Sequence, residues 1–250
     1  MRKIKITFVV LFLILISFPA FATPKFRDAI NFEDNEFVEM GSLEILHRYQ
    51  KYSGADSDDL DMAVLDYQFT YGVMTNFEVG VKIPIVFQEN NGQDEIGDMS
   101  VSQRFKFTEE SQSGVDFSGG LELILPTGDE KETIMGSDDL DARFHLSLGQ
   151  SIDQDLRWLA HLAYRFYGEA DNDDLFEYNT AFSYKMSPNF KSILELNGSS
   201  GGYPDYSELY ISPGFVFQPR GGFTTTVSVP VGVTNDSYDH KANLQLAIEF

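Results

Sequence analysis

From about residue 37 to the last residue, apolar and polar side chains alternate with a period of two. One segment carries Ala63, Leu65, Tyr67, Phe69, Tyr71 and Val73 on one face, with Asp66, Gln68 and Thr70 on the other. Met74-Thr75-Asn76 then turns the chain into Phe77, Val79, Val81, Ile83, Ile85 and Phe87. Successive side chains of a strand point to opposite faces, so each run predicts a strand with one apolar and one polar side. The pattern recurs through Met99–Phe107, Phe117–Leu125, Leu140–Leu148, Trp158–Phe166, Phe176–Tyr184, Leu194–Leu196, Leu209–Phe217 and Phe223–Val231. With a first strand near 38–50 and a last ending at Ala242, Leu244, Leu246, Ile248 and Phe250, the count is twelve.

The connections alternate in length. Short ones are expected near 74–76, 108–114, 151–155, 187–189 and 219–222, and longer acidic ones near 51–60, 88–96, 127–138, 168–175, 198–207 and 233–240. An even number of strands of about ten residues, with short turns at one end and long loops at the other, is the pattern of a bacterial membrane barrel. The expected fold is therefore all-β: a closed antiparallel up-and-down transmembrane β-barrel with periplasmic turns and acidic extracellular loops. A soluble sandwich is the alternative, but it has little use for a continuous enclosed polar face.

Both ends fit an outer-membrane protein. Residues 1–22 open with Arg2, Lys3 and Lys5, run through Phe8–Ile16 and close at Ala20-Phe21-Ala22, the layout of a cleaved secretory signal. The final strand, ending in Phe250, resembles the C-terminal signal that such barrels present to the assembly machinery. The expected organisation is a signal peptide over 1–22, a polar segment over 23–36 and the barrel over 37–250. The stretch Thr23–Asn35 lacks strand periodicity and reads first as a disordered periplasmic tail, with entry into the barrel as a plug as the alternative.

Removing residues 1–22 takes the formal charge from −21 to −24, which argues against nucleic acid as a partner. The chain has no cysteine, which excludes a lipid-anchored thioether, disulfides and thiolate metal sites. No cofactor is expected. The expected partners are outer-membrane lipid, lipopolysaccharide bridged to the acidic loops by divalent ions, the assembly machinery and a small-molecule solute, with the barrel a monomer. A calcium loop at Asp56–Asp61 lacks the glycine and the distant glutamate of an EF-hand.

Parity assigns the lumen. Arg48, Lys82, Arg104, Glu122, Asp141, Arg143, His145, His161, Arg165, Glu177 and Glu195 are expected to face inward and to line the solute path. Glu44, Gln68, Lys106, Lys185, Asn197, Asn243 and Gln245 share that side. With signs interspersed, pairing across the lumen is expected rather than one selective ring. A hairpin symmetric about Asp153 would oppose His145 to His161 and Asp141 to Arg165. Two imidazoles without a third ligand make a weak metal site, so these histidines are read as solvated and no metal is assigned. Pro84, Pro126 and Pro230 cannot donate to a ladder and predict breaks near the outer rim, or simple strand ends.

Three motifs resemble the outer-membrane family of the MetA phenol-degradation pathway: Tyr71–Val81, Ile96-Gly-Asp-Met-Ser100 and Leu123-Ile-Leu-Pro-Thr-Gly-Asp129. The resemblance implies a barrel that moves hydrophobic or aromatic compounds across the outer membrane, and supplies no catalytic or binding residues. The functional expectation is a passive channel for small organic solutes. A sealed structural or adhesive barrel ranks second, and a membrane hydrolase third, since no serine accompanies the outward His47 in this register. No catalytic residue is assigned.

Overall fold

In the computed structural model the described residues are 28–53, 62–88, 94–128, 139–168, 174–201, 207–219, 223–234 and 236–250. Twelve wall strands follow in chain order: β1 Leu43–Ser53, β2 Met62–Met74, β3 Phe77–Gln88, β4 Ser100–Thr108, β5 Asp116–Ile124, β6 Asp141–Ser151, β7 Leu156–Phe166, β8 Leu175–Ser187, β9 Phe190–Gly201, β10 Ser207–Phe217, β11 Phe223–Ser228 and β12 His240–Glu249. Each pairs antiparallel with its sequence neighbour. β1 closes the ring on β12, from Glu44 opposite Glu249 to Ser53 opposite His240. Leu43 and Phe250 exchange backbone hydrogen bonds of 3.1 and 2.9 Å, so the terminal aromatic residue is itself part of the closure. A closed ring leaves no unpaired edge, which is what lets a sheet reside in lipid. No helix of the described residues is long and apolar enough to cross a membrane.

The alternation sorts the side chains as expected. Phe69, Phe105, Phe144, Phe182, Leu194 and Phe215 stand exposed on the outer wall, whereas Glu78, Glu122, Asp141, His145, His161 and Glu195 are buried inside. Residues 38–42, expected in the first strand, precede it. The acidic loops at 54–61, 89–93, 129–138, 169–173 and 202–206, with the Asp56–Asp61 motif, and the signal at 1–22 lie outside the described residues.

The prolines act differently. Pro84 remains in β3 opposite Asp66, but beyond it the β3–β4 ladder is interrupted, resuming as a short strand Asp94–Ile96. Pro230 breaks β11 from its continuation Val231–Gly232. Pro126 follows the end of β5. Beside it, Asp98 accepts the backbone N–H groups of Thr127 and Gly128 at 2.9 and 2.8 Å, and the Gly97 N–H donates to the Pro84 carbonyl at 3.0 Å. The Gly-Asp and Pro-Thr-Gly motifs thus tie the broken ends of β3, β4 and β5 to one another.

The β6–β7 hairpin departs from its expected register. Opposed residues sum to 308, giving Leu148 opposite Ala160, Phe144 opposite Tyr164 and Arg143 opposite Arg165. The turn is centred on Gln154: the N–H groups of Ile152 and Asp153 donate to the Leu156 carbonyl at 2.8 and 3.2 Å. Asp153 accepts the N–H groups of Asp155 and Leu156, each at 2.8 Å, and these bonds hold its carboxyl below the usual carboxylate range. A shift of two keeps every side chain on its face, so hydrophobic alternation cannot detect it.

The interior holds a second element. Residues 28–42 enter the lumen rather than trailing from it, which overturns the reading of 23–35 as a periplasmic tail for the described part. Ala29, Ile30 and Phe32 pack against Leu159, Ala181, Ile193 and Val216, an apolar patch on the otherwise polar inner wall. At its end the segment passes so close to β2 that a side chain at Gly72 would run into the Glu39 carbonyl. There the Gly41 N–H donates to the Gly72 carbonyl at 2.7 Å, and the Gly72 N–H to that of Ser42 at 3.1 Å. Gly214 on β10 likewise leaves the room that Ile30 fills.

Candidate functional site: the occupied lumen

A buried backbone must have its N–H and C=O groups paired. Among the described residues the segment pairs with a strand, β2, only at Met40–Ser42; over residues 28–39 polar side chains of the wall take over. Glu195 on β9 accepts the Ile30 N–H at 2.5 Å and the Asn31 N–H at 3.2–3.3 Å, and bonds the Asn31 side-chain amide. Gln245 donates to the Ile30 carbonyl at 2.6 Å, and Asn243 to the Asn31 side chain at 2.5 Å. Glu78 accepts the Val38 N–H at 2.9 Å, and Glu249 the Glu39 N–H at 3.1 Å. Arg104 on β4 adds two more attachments and joins them to Glu78. Its Nη1 and Nη2 donate to the Asp34 and Glu36 carbonyls, each at 2.8 Å, while its Nε donates to Glu78 at 2.6 Å. Its guanidinium also lies over the Phe37 ring, 4.6 Å from the centroid.

The segment's own acids seek the wall's bases. Asp28 takes Lys191 at 2.5 Å and the Ser183 hydroxyl at 2.9 Å, with Arg157 at 3.4 Å. Glu33 accepts from Arg143 Nη1 and Nη2, at 2.8 and 3.2 Å. Arg143 also donates to Glu177 at 3.0 and 2.8 Å and lies 3.6 Å from Glu122. Glu122 in turn holds Lys82 at 2.9 Å and the Ser100 hydroxyl at 2.5 Å.

All eleven residues expected to line the lumen are on the inner side. Arg104, Arg143, Glu195, His145 and His161 reach the segment; Lys82, Glu122 and Glu177 pair within the wall network beside it. Asp141 and Arg165 form a wall ion pair at 2.5 Å, diagonal in the observed register, with Asp141 also accepting the Gly168 N–H at 2.9 Å. Arg48 lines a cavity of about 270 Å³, together with Lys82, Arg104, Arg143, Arg165 and Glu33.

The histidines are not solvated. The His145 and His161 side chains are 3% and 0% exposed. They are diagonal neighbours, since His145 opposes Ala163 and His161 opposes Ser147, and their ring centroids are 5.7 Å apart. Glu33 of the segment faces both, 2.9 Å from His161 Nε2 and 3.9 Å from His145 Nδ1.

Sequence reasoning missed Asp28, Asn31, Glu33, Glu78 and Glu249. The signal available was the density of Ala29, Ile30, Phe32, Phe37 and Val38 in a stretch otherwise made of acids and amides, too apolar for a solvated tail.

A sheet closed on itself, apolar outside and charged within, defines a transmembrane β-barrel of the outer-membrane type. The chain belongs to the family described as "Putative MetA-pathway of phenol degradation", whose model matches residues 44–250. The match begins at Glu44 in β1 and so covers the wall without the segment inside it. Among solved structures, the fold is similar to the COG4313 outer membrane channel from Pseudomonas putida F1, at 12% identity and a TM-score of 0.73, over 89% of this chain and 100% of that one. It is also similar to the KdgM porin (12% identity, TM-score 0.57, 83% of this chain and 99% of that one). The NanC porin is a further likeness, at 11% identity and a TM-score of 0.55 over 83% and 98% of the two chains. No curated protein matches the sequence.

Proposed function

We propose that the protein is a channel for small organic solutes across the outer membrane, with residues 28–39 as a plug that must shift for solute to pass. One observation carries this reading: the described bonds of residues 28–39 to the wall run through side chains, so the segment can leave without breaking one wall hydrogen bond. Arg48, Lys82, Arg104, Arg143 and Arg165 would then face the cleared path, balanced by Glu122, Asp141, Glu177 and Glu195. The structures similar in fold include an outer-membrane channel and porins, which supports the reading.

The family description points to small aromatic compounds as the solute class. Guanidinium groups inside the barrel already lie over rings, Arg104 on Phe37 at 4.6 Å and Arg165 on Tyr167 at 4.5 Å, and the same surfaces would attract an aromatic solute.

A sealed structural barrel is the second reading, favoured by the density of ion pairs around Arg143. Planar-bilayer recordings of refolded residues 23–250, and of the same chain lacking 23–38, separate the two. A channel gives discrete steps that become larger and more frequent on deletion. A barrel that folds but stays silent in both forms sinks the channel reading.

A further inference from the structure

We propose that Glu33, His145 and His161 form a binding site for a divalent transition metal of the Zn²⁺ class, and that the bound ion clamps the inner segment to the wall. Two imidazole nitrogens and one carboxylate oxygen are a donor set suited to Zn²⁺, which leaves a fourth position for water. One donor atom from each of the three residues can be chosen so that all lie within 4.8 Å of one another. His161 Nε2 and Glu33 Oε2 are already 2.9 Å apart. Ligands of a tetrahedral zinc, bound at roughly 2.0–2.1 Å, stand about 3.3 Å from one another. His145 Nδ1 lies 3.9 Å from the other oxygen, Glu33 Oε1, so the two imidazoles face the two oxygens of one carboxylate.

The second observation is the state of the rings. Neither His145 nitrogen has a hydrogen bond among the described residues, although the ring is buried, whereas His161 Nε2 has the Glu33 carboxylate at 2.9 Å as its partner. A buried polar atom without a partner is costly, and a cation accepting the lone pair of His145 Nδ1 would remove that cost there. The surroundings are arranged as for a ligand pair. The His145 ring lies over Gly120, where a side chain would collide with its Nε2 edge, so its Nδ1 edge is the one turned to Glu33. His161 Nδ1 stands 3.1 Å from the Asn179 side-chain amide, and the Phe32 ring lies 5.3 Å from the His161 ring. The Asn179 oxygen accepts the Asn197 amide at 3.3 Å; a metal on His161 Nε2 would require Asn179 to turn that oxygen to Nδ1 instead, so that Nδ1 donates, the usual outer contact of a ligating histidine.

Charge permits the ion. Glu33, Glu122 and Glu177 oppose Arg143 and Lys82 in the connected network, leaving one negative charge in excess. Arg143 engages both Glu33 oxygens, yet an ionised carboxylate has about four lone-pair sites, so one remains for a metal. The Glu33 side chain is 31% exposed, and with His145 it borders the cavity of about 270 Å³, which gives the ion a route in. Because the two histidines sit on β6 and β7 and the glutamate on the inner segment, the metal would join plug to wall. The clamping half of the proposal rests on the plug reading above; the metal binding does not.

The test uses the full refolded chain in detergent micelles. Titration with Co²⁺ should give the intense visible absorption of a tetrahedral ion at one equivalent, displaced by Zn²⁺. His145→Ala/His161→Ala and Glu33→Gln should weaken Zn²⁺ binding by at least a hundredfold and abolish that spectrum, with heat-modifiable migration in gels reporting that each variant still folds. The variants keep every acidic loop, so weak binding there cancels in the comparison. Absence of a tetrahedral Co²⁺ spectrum in the unmodified chain would overturn the site whatever the variants do, as would equal Zn²⁺ retention in chain and folded double variant. Amide exchange over residues 28–39 reads the clamp without conduction: Zn²⁺ should slow it at least tenfold in the unmodified chain and not in the double variant. Binding without such slowing overturns the clamp. A barrel that never conducts but shows both effects refutes the channel reading and leaves metal and clamp standing.

Discussion

The wall and the segment inside it are held by opposite means. In the wall, backbone groups bond to the neighbouring strand around a closed ring, and side chains only decide which face meets lipid. In residues 28–39, backbone groups are bonded by individual side chains: Glu195, Gln245, Glu78, Glu249 and Arg104. A ladder is collective and insensitive to any single residue. The segment depends on a handful of charged groups, each of which can be removed without touching a strand. A barrel built this way can be rigid in its wall and labile in its lumen.

Amide hydrogen exchange measured separately for residues 28–39 and for the strands sharpens that contrast, since local opening is read from exchange rates. Arg104→Ala should have the largest effect. It leaves Glu78 without its cation, and two carbonyls without their donor, and removing one partner of a buried charged pair costs about 3–5 kcal/mol. At about 1.4 kcal/mol per tenfold, exchange over 28–39 should rise by roughly two to three and a half orders of magnitude while β6–β9 stay protected. If the strands lose protection equally, the two regions are one cooperative unit and the contrast fails.

Gly72→Ala comes next. The added methyl meets the Glu39 carbonyl, and overpacking of this kind costs about 1–3 kcal/mol. Exchange should increase around Glu39, and unchanged protection would mean the crossing is looser than its geometry. Glu195→Gln retains an acceptor for the Ile30 and Asn31 N–H groups but loses the charge. Charge-assisted bonds are about twice as strong as neutral ones, so a loss of about 1 kcal/mol and a roughly fivefold faster exchange at Ile30 are expected. Phe215→Leu, on the exposed outer wall, should change exchange of the inner segment by less than the error, since exposed substitutions lie within about 0.5 kcal/mol. A clear effect there would show that lipid-side packing reaches the lumen.

Much of the wall could be read from the chain, and the inner face with it. Asp66, Glu122, Arg143 and Glu195 were placed correctly because parity along a strand is a property of the backbone itself. The pairing of His145 with His161 was wrong by two residues because every even shift satisfies parity equally; the Asp153–Leu156 hydrogen bonds, not the pattern, chose between them. The proximity of the two rings survived, since diagonal neighbours on one face remain close.

What the sequence by itself determined is the part with a period: strands, faces, strand count and the closing Phe250. What only the tertiary structure decided is the part without one. Residues 28–39 carry no repeat, and their partners lie far along the chain, Glu33 with His161 and Ile30 with Glu195 and Gln245. Local backbone geometry imposes alternation wherever a strand forms. Which unpaired carboxylate finds which guanidinium is settled only once the ring has closed and brought them within reach.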